Sequence, residues 1–291
     1  MLPQLLTACG IGSEVRREEV RVWARSGVER LHLADGRTLV FKYAAAPFDR
    51  EHLVLRQAAE YGVPVPAMIG AHTEPGWLGT MLEDLGQPIR EPDGHDAAEA
   101  AVKVHGVLRP RGLPILDRAA LTLLPARLAD RCRRLGLPDS ITATARTLDR
   151  VAGRLAEQAH LPPFGMCHAE FHPSSLHIGQ KGWRLLDLAR AFIGPGLLDL
   201  ASWQGTIAAP HPEATAALIN SYVAHGGHRG ALASRAGLPP ERWAPGWHRI
   251  WVASWYAEQV DLGWAEGAPG RWTDAISKHL RQASQLFAIQ M

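Results

Sequence analysis

One switch of pattern governs what this chain can fold into. Up to about residue 85 it consists of short runs rich in Val, Leu, Trp and Phe divided by turn residues, and from Asp96 onward it follows a helical period. The order predicts a small antiparallel sheet with one helix, followed by a larger helical portion, an α+β arrangement. From Val20 the segment VRVWARSGVERLHLADGRTLVFKYA is broken by Ser26-Gly27 and Asp35-Gly36. An Asp-Gly pair supplies the positive-φ positions of a two-residue turn, so Val28–Leu33 and Arg37–Tyr43 are predicted antiparallel neighbours. Asp49 is the expected N-cap of a helix reaching about Glu60, stopped by Gly62, Pro64 and Pro66. MIGAH and WLGTMLEDL read as two further strands. Helices are expected over Ala97–Val107, Ala119–Leu135, Ile141–Gln158, Ala214–Ala224, Trp247–Leu262 and Thr273–Phe287. Between them LHIG and GWRLLDL read as strands around a Gly179-to-Gly182 turn, in the segment where polar groups cluster.

Composition narrows the function classes. With 291 residues, 46% of them hydrophobic, the chain can build two lobes with their own cores, and disorder is excluded. No run approaches the roughly 18 apolar residues of a membrane span, and MLPQLLTACGIGSEVRREE lacks the pattern of a secretory signal, so a cytoplasmic protein with no membrane partner is expected. A net charge of +2 with dispersed basic residues gives no reason to expect a nucleic-acid partner. Cys9, Cys132 and Cys167 have neither disulfide-framework nor zinc-ligand spacing. Only four lysines occur, which singles out Lys42 at the end of the strand LVFK.

Phosphoryl transfer needs a cation on the phosphates, oxygen ligands for magnesium, and an acceptor for the attacking hydroxyl's proton. The segment CHAEFHPSSLHIG, followed by Asp187 in RLLDLA, resembles the catalytic and metal-binding segments of the aminoglycoside phosphotransferase and choline kinase family, whose usual form is H-G-D-x-H-P-x-N and then a strand ending in aspartate. Lys42, Glu51 before GVPVP, the hinge-like Leu82–Leu85, AAVKVHGV and ALINSYVAHGG extend the resemblance in order from about Val20 to Trp264. It implies a bilobal protein-kinase-like fold: a nucleotide-binding lobe over 1–82, a hinge over 83–87 and a helical lobe over 88–291. It implies ATP or GTP as donor, with Mg2+. Lys42 would address the phosphates and Glu51 hold it, with Ser26, Gly27, Met81, Glu83 and Leu85 also at the nucleotide. Glu170 takes the base position, His168 and Asp199 support the catalytic segment, and Asp187 and Ser175 would ligate metal.

Two departures from the family pattern stand out. Glu170 replaces an aspartate and is one methylene longer, and Ser175 replaces a metal-ligating asparagine; its hydroxyl is still a hard oxygen donor. The expected reaction is transfer of a γ-phosphate to a hydroxyl of an antibiotic, sugar or amino alcohol, or of a peptide Ser/Thr. The departures leave open a nucleotide-binding pseudokinase, and a kinase whose acceptor is presented by a biosynthetic partner protein. His168, His172 and His177 are spaced by four and five in a loop and strand, not along a helix face, which argues against zinc. Trp247, Trp251 and Trp255 form a stripe expected in the core. Beside them Glu258, Asp261 and Glu266 form either a wall for a cationic acceptor or a solvated helix face.

Overall fold

The computed structural model describes residues 1–12, 15–23, 25–108, 110–265 and 269–289. It divides into two compact units, one formed by Met1–Asp93 with Pro173–Ala191, the other by Gly94–His172 with Phe192–Met291. Among the described residues no helix is long and apolar enough to cross a membrane.

The first unit opens with a short helix, α1 (Leu2–Ala8), and then β1 (Val15–Trp23), β2 (Ser26–Leu33) and β3 (Thr38–Ala45). Helix α2 (Glu51–Glu60) follows, then β4 (Met68–Glu74) and β5 (Trp77–Glu83). The five strands form one antiparallel sheet in the order β1-β2-β3-β5-β4. Strict alternation along β2 and most of β3 sorts their side chains onto two faces. Leu31, Leu33, Leu39 and Phe41, with Met81 of β5, close one face against Leu5 and Leu6 of α1. Burying each such leucine contributes about 1.5–3 kcal/mol, enough to hold a seven-residue helix that could not persist alone. The other face carries Val28, Lys42 and Thr80 in one cross-strand row. The hairpin of β7 (Leu176–Gly179) and β8 (Gly182–Leu185) belongs to this unit and is tied to the rest by the Leu185 N–H donating to Pro64 O and the Ile89 N–H to Ile178 O.

The second unit is mainly helical. Helices α3 (Gly94–His105), α4 (Arg118–Arg134) and α5 (Asp139–Leu155) precede β6 (Phe164–Cys167), which pairs antiparallel with β9 (Phe192–Pro195). Then come α6 (Leu197–Ser202), α7 (Pro212–Ala224), α8 (Pro240–Asp261) and α9 (Pro269–Leu286). Trp243 and Trp247 of α8 are fully buried and both indole N–H groups donate to Leu155 O. Trp251 and Trp255 are only half-buried, so the expected tryptophan stripe enters the core at one end.

Several local expectations are corrected. Arg50, not Asp49, is the N-cap of α2, and it makes no side-chain capping bond. Helix α8 starts at Pro240, seven residues before Trp247, and runs through Pro245, which lies inside it and has no N–H to donate. The break expected at Ser26-Gly27 is already strand, with Trp23 opposite Ser26.

Candidate active site

Lys42 sits where β3 crosses the middle of the sheet, and its alternation partner positions turn it away from the α1 core. Glu51 occupies the first turn of α2, where a carboxylate is favoured by the helix dipole. The Lys42 ammonium donates to Glu51 Oε1 at 2.8 Å and to Asp187 Oδ1 at 2.7 Å. Glu51 is 2% exposed and also accepts the Leu188 N–H at 3.0 Å, which fixes the chain just past Asp187. Burial works to lower the Lys42 pKa, but the charges of Glu51 and Asp187 outweigh it and hold the ammonium above its ordinary value. Burial raises Glu51, the Lys42 charge pulls it back, and the nearby Asp187 adds to the rise. The result is a fixed cation between two carboxylates, one buried and one, Asp187, with 40% of its side chain exposed.

Asp187 has φ +65°, a left-handed conformation that costs an ordinary residue about 1–2 kcal/mol and that Asp tolerates better than most. The β7–β8 hairpin explains how Ser175 comes to it. Leu176 pairs with Leu185, and one step beyond, the Leu186 N–H donates to Ser175 O at 2.8 Å, setting Ser175 one residue from Asp187. A carboxylate and a hydroxyl are hard oxygen donors, the chemistry that magnesium accepts. Both residue types thus suit that ion.

The segment carrying His168 and Glu170 hangs from the end of β6. The buried Asp199 carboxylate accepts the His168 N–H at 2.7 Å and the Ala169 N–H at 3.0 Å, and His105 Nε2 lies 3.4 Å from it. His168 Nδ1 in turn accepts the Glu170 N–H at 3.2 Å. Ala169, where the family pattern has glycine, is held at φ +78° by these bonds. The Ser202 hydroxyl donates to Phe171 O at 2.7 Å and secures the segment one residue past Glu170. His105, Cys167 and Asp199 bring metal-type ligand atoms together, all three buried. Burial, helped by Asp199, pushes the Cys167 thiol well above its ordinary pKa, while the Asp199 oxygens of this trio are engaged by the His168 and Ala169 backbone.

The other sequence candidates fall in three groups. Ser26 shares the Lys42 side of the sheet, whereas Gly27 faces the other way and its missing side chain makes room for the Tyr43 ring. Met81 pairs with Phe41 and is fully buried in the α1 cluster, so its side chain is committed to the core; Thr80, which sequence reasoning passed over, holds the place in the Lys42 row. Glu83 accepts the Ala67 N–H and lies 3.9 Å from Arg184, and Leu85 follows it, half-buried. Glu258 and Asp261 are engaged by Arg131 at 3.9 and 3.3 Å, and Asp261 also by Arg134 at 3.7 Å. These pairs account for the two carboxylates without a cationic acceptor. Glu266 lies outside the described residues.

Comparison with known proteins decides the family. The model of the phosphotransferase enzyme family matches residues 16–238. The chain belongs to this family. It is thus a phosphotransferase enzyme, and the matched residues take in Lys42, Glu51, Glu170, Ser175, Asp187 and Asp199. A search of curated protein sequences finds no match. Among solved structures, the phosphotransferase is similar to a choline/ethanolamine kinase family protein from Mesorhizobium loti (TM-score 0.65, 17% identity, covering 98% of this chain and 92% of that one). It is similar to a macrolide 2'-phosphotransferase from Brachybacterium faecium (TM-score 0.61, 17% identity, 96% and 97% covered). A third likeness is to an amicoumacin kinase in complex with AMP-PNP, Ca2+ and Ami (TM-score 0.62, 13% identity, 94% and 89% covered). At such identities the likeness is one of fold.

Proposed function

We propose that the enzyme moves the γ-phosphoryl group of ATP or GTP onto a hydroxyl group, of a small molecule such as an antibiotic, sugar or amino alcohol, or of a peptide Ser/Thr. The observation that carries the reading is the Lys42 ammonium held 2.8 Å from Glu51 and 2.7 Å from Asp187. A cation fixed by a buried glutamate beside a half-exposed aspartate is the arrangement that phosphate and its metal require.

In this reading Lys42 neutralises phosphate charge and Glu51 keeps it in place. Asp187 and Ser175 hold magnesium, whose charge, when bound, offsets that of the phosphates. Glu170 takes the proton of the acceptor hydroxyl as its oxygen bonds to the γ-phosphorus, while the bond to the bridging oxygen breaks and the nucleoside diphosphate leaves. His168 and Asp199 set the backbone that presents Glu170. Residues 83–87 act as a hinge between lobes 1–82 and 88–291, with Glu83 and Leu85 beside the base, Met81 contributing through its main chain, and Ser26 and Gly27 near the phosphates. A nucleotide donor of this kind implies action in the cytoplasm.

The test offers γ-labelled ATP and GTP with magnesium and a panel of alcohols and Ser/Thr peptides to the protein and to Lys42→Met. Transfer to at least one acceptor is expected, reduced about a hundredfold or more in the variant by analogy with other lost electrostatic donors. Failure of both nucleotides to bind at millimolar concentration overturns the reading. Binding without transfer to any acceptor favours a nucleotide-binding protein without turnover, or one that needs a partner to present its acceptor.

A further inference from the structure

The edge strand β1 contains an irregularity that decides where one cation points. As far as Glu19 it follows β2 residue for residue, with Glu18 opposite Arg30 and Glu19 opposite Glu29. The register then shifts, and Arg21 stands opposite Val28, leaving Val20 as the extra residue. Residues opposite one another share a face, so in an unbulged strand Arg21 would meet Gly27, on the side of Phe41 and the α1 cluster. The bulge moves it into the row Arg21, Val28, Lys42, Thr80. A bulge forfeits ladder pairing, and re-aiming a side chain is one of its recurrent uses.

On that face the Arg21 guanidinium lies 4.0 Å from Asp187 Oδ2, the carboxylate oxygen not taken by Lys42. Its carbon sits 4.0 Å from the centroid of the Trp23 ring, which reduces the side-chain freedom to be lost on engaging a ligand. The side chain remains 54% exposed. Gly27, meanwhile, leaves its side-chain space to the Tyr43 ring on the opposite face.

We propose that Arg21 is a second phosphate-directed cation, aimed by the β1 bulge at the terminal phosphates of the nucleotide beside Lys42. This rests on the reading of Lys42 and Asp187 as the phosphate and metal pair. A planar guanidinium can bond two phosphate oxygens at once, where Lys42 acts as a point charge. Charge from a side chain thereby substitutes for the backbone donors that a glycine-rich loop would supply.

Calorimetry with MgATP, MgADP and adenosine on wild type, Arg21→Gln, Arg21→Lys and Lys42→Met tests this. Arg21→Gln is expected to weaken MgATP about tenfold, the lower range for a charge-assisted bond at a half-exposed site. Adenosine affinity and melting temperature should not move, Arg21→Lys should recover part of the loss, and the salt dependence of MgATP binding should flatten in the glutamine variant. If Lys42→Met weakens MgATP while Arg21→Gln leaves it unchanged, the Arg21 proposal falls and the nucleotide site stands. Tighter MgATP binding in Arg21→Gln also overturns it, since Arg21 would then only screen Asp187 against the metal. No MgATP binding by the wild type removes both.

Discussion

Replacing Asp199 tests whether one buried carboxylate holds the segment from His168 to Glu170 in place. Asp199 is 1% exposed and satisfies two backbone donors, those of His168 and Ala169, both on residues with 5% exposure or less. In Asp199→Ala both donors lose their acceptor, and at about 1–3 kcal/mol for each unmet buried group the cost is about 2–6 kcal/mol. Asp199→Asn keeps one oxygen acceptor but turns an amide N–H toward the second donor, so it should cost about half as much. The alanine value is a large share of the roughly 5–15 kcal/mol that holds a typical protein folded. Denaturant unfolding followed by fluorescence should give midpoints in the order wild type, Asn, Ala, with one common slope. On the proposed role of Glu170 as base, kcat should drop in Asp199→Asn while MgATP affinity is retained. An asparagine variant within about 0.5 kcal/mol of wild type, the scatter of an ordinary surface change, would refute the reasoning.

Two further outcomes follow from the same geometry. His248 and His279 are 4% and 2% exposed, and burial, followed by the charge of Arg249, lowers both pKa values to about 3. The unfolded chain then binds more protons below about pH 6.5, so their contribution is complete above that pH and declines toward pH 3; unfolding midpoints measured at pH 7, 6 and 5 should fall, and a flat series would contradict this. For Ser175, substitution by alanine should raise the magnesium concentration needed for half-maximal phosphoryl transfer, and Ser175→Asn should keep or lower it; three superimposable titrations would take Ser175 off the metal.

What could be read in the sequence was set by chemistry that announces itself locally. The sheet-then-helix order, the lysine closing LVFK and the aspartate after RLL were visible because apolar strands rarely end in charge without a partner. The short α1 was missed because seven residues show too little of a helical period, and α6 because Leu197–Ser202 is shorter still and buried throughout. That the Met81 side chain turns into the α1 cluster is a matter of register that no single strand reveals. Arg21 escaped notice for a related reason: its direction depends on the extra residue Val20, visible only once β1 is paired with β2. Glu258 and Asp261 looked equally like a wall or a solvated face, and neither reading foresaw that α4 would supply Arg131 and Arg134 to pair them.

The discontinuity of the first unit bears on how this gene can be recombined. Residues 173–191 carry Ser175 and Asp187, yet they belong with Met1–Asp93 although 79 residues of the other unit intervene. A clone ending at Asp93 would encode the lysine and its glutamate without the aspartate that completes their charge, or the hairpin strand bonded to Pro64. Chimaeras made with a homologue by a single crossover near residue 93 would pair a native Lys42 and Glu51 with a foreign Asp187 segment. Keeping the set together takes a double exchange that also transfers 173–191, so the unit is inherited in two pieces that must vary in concert.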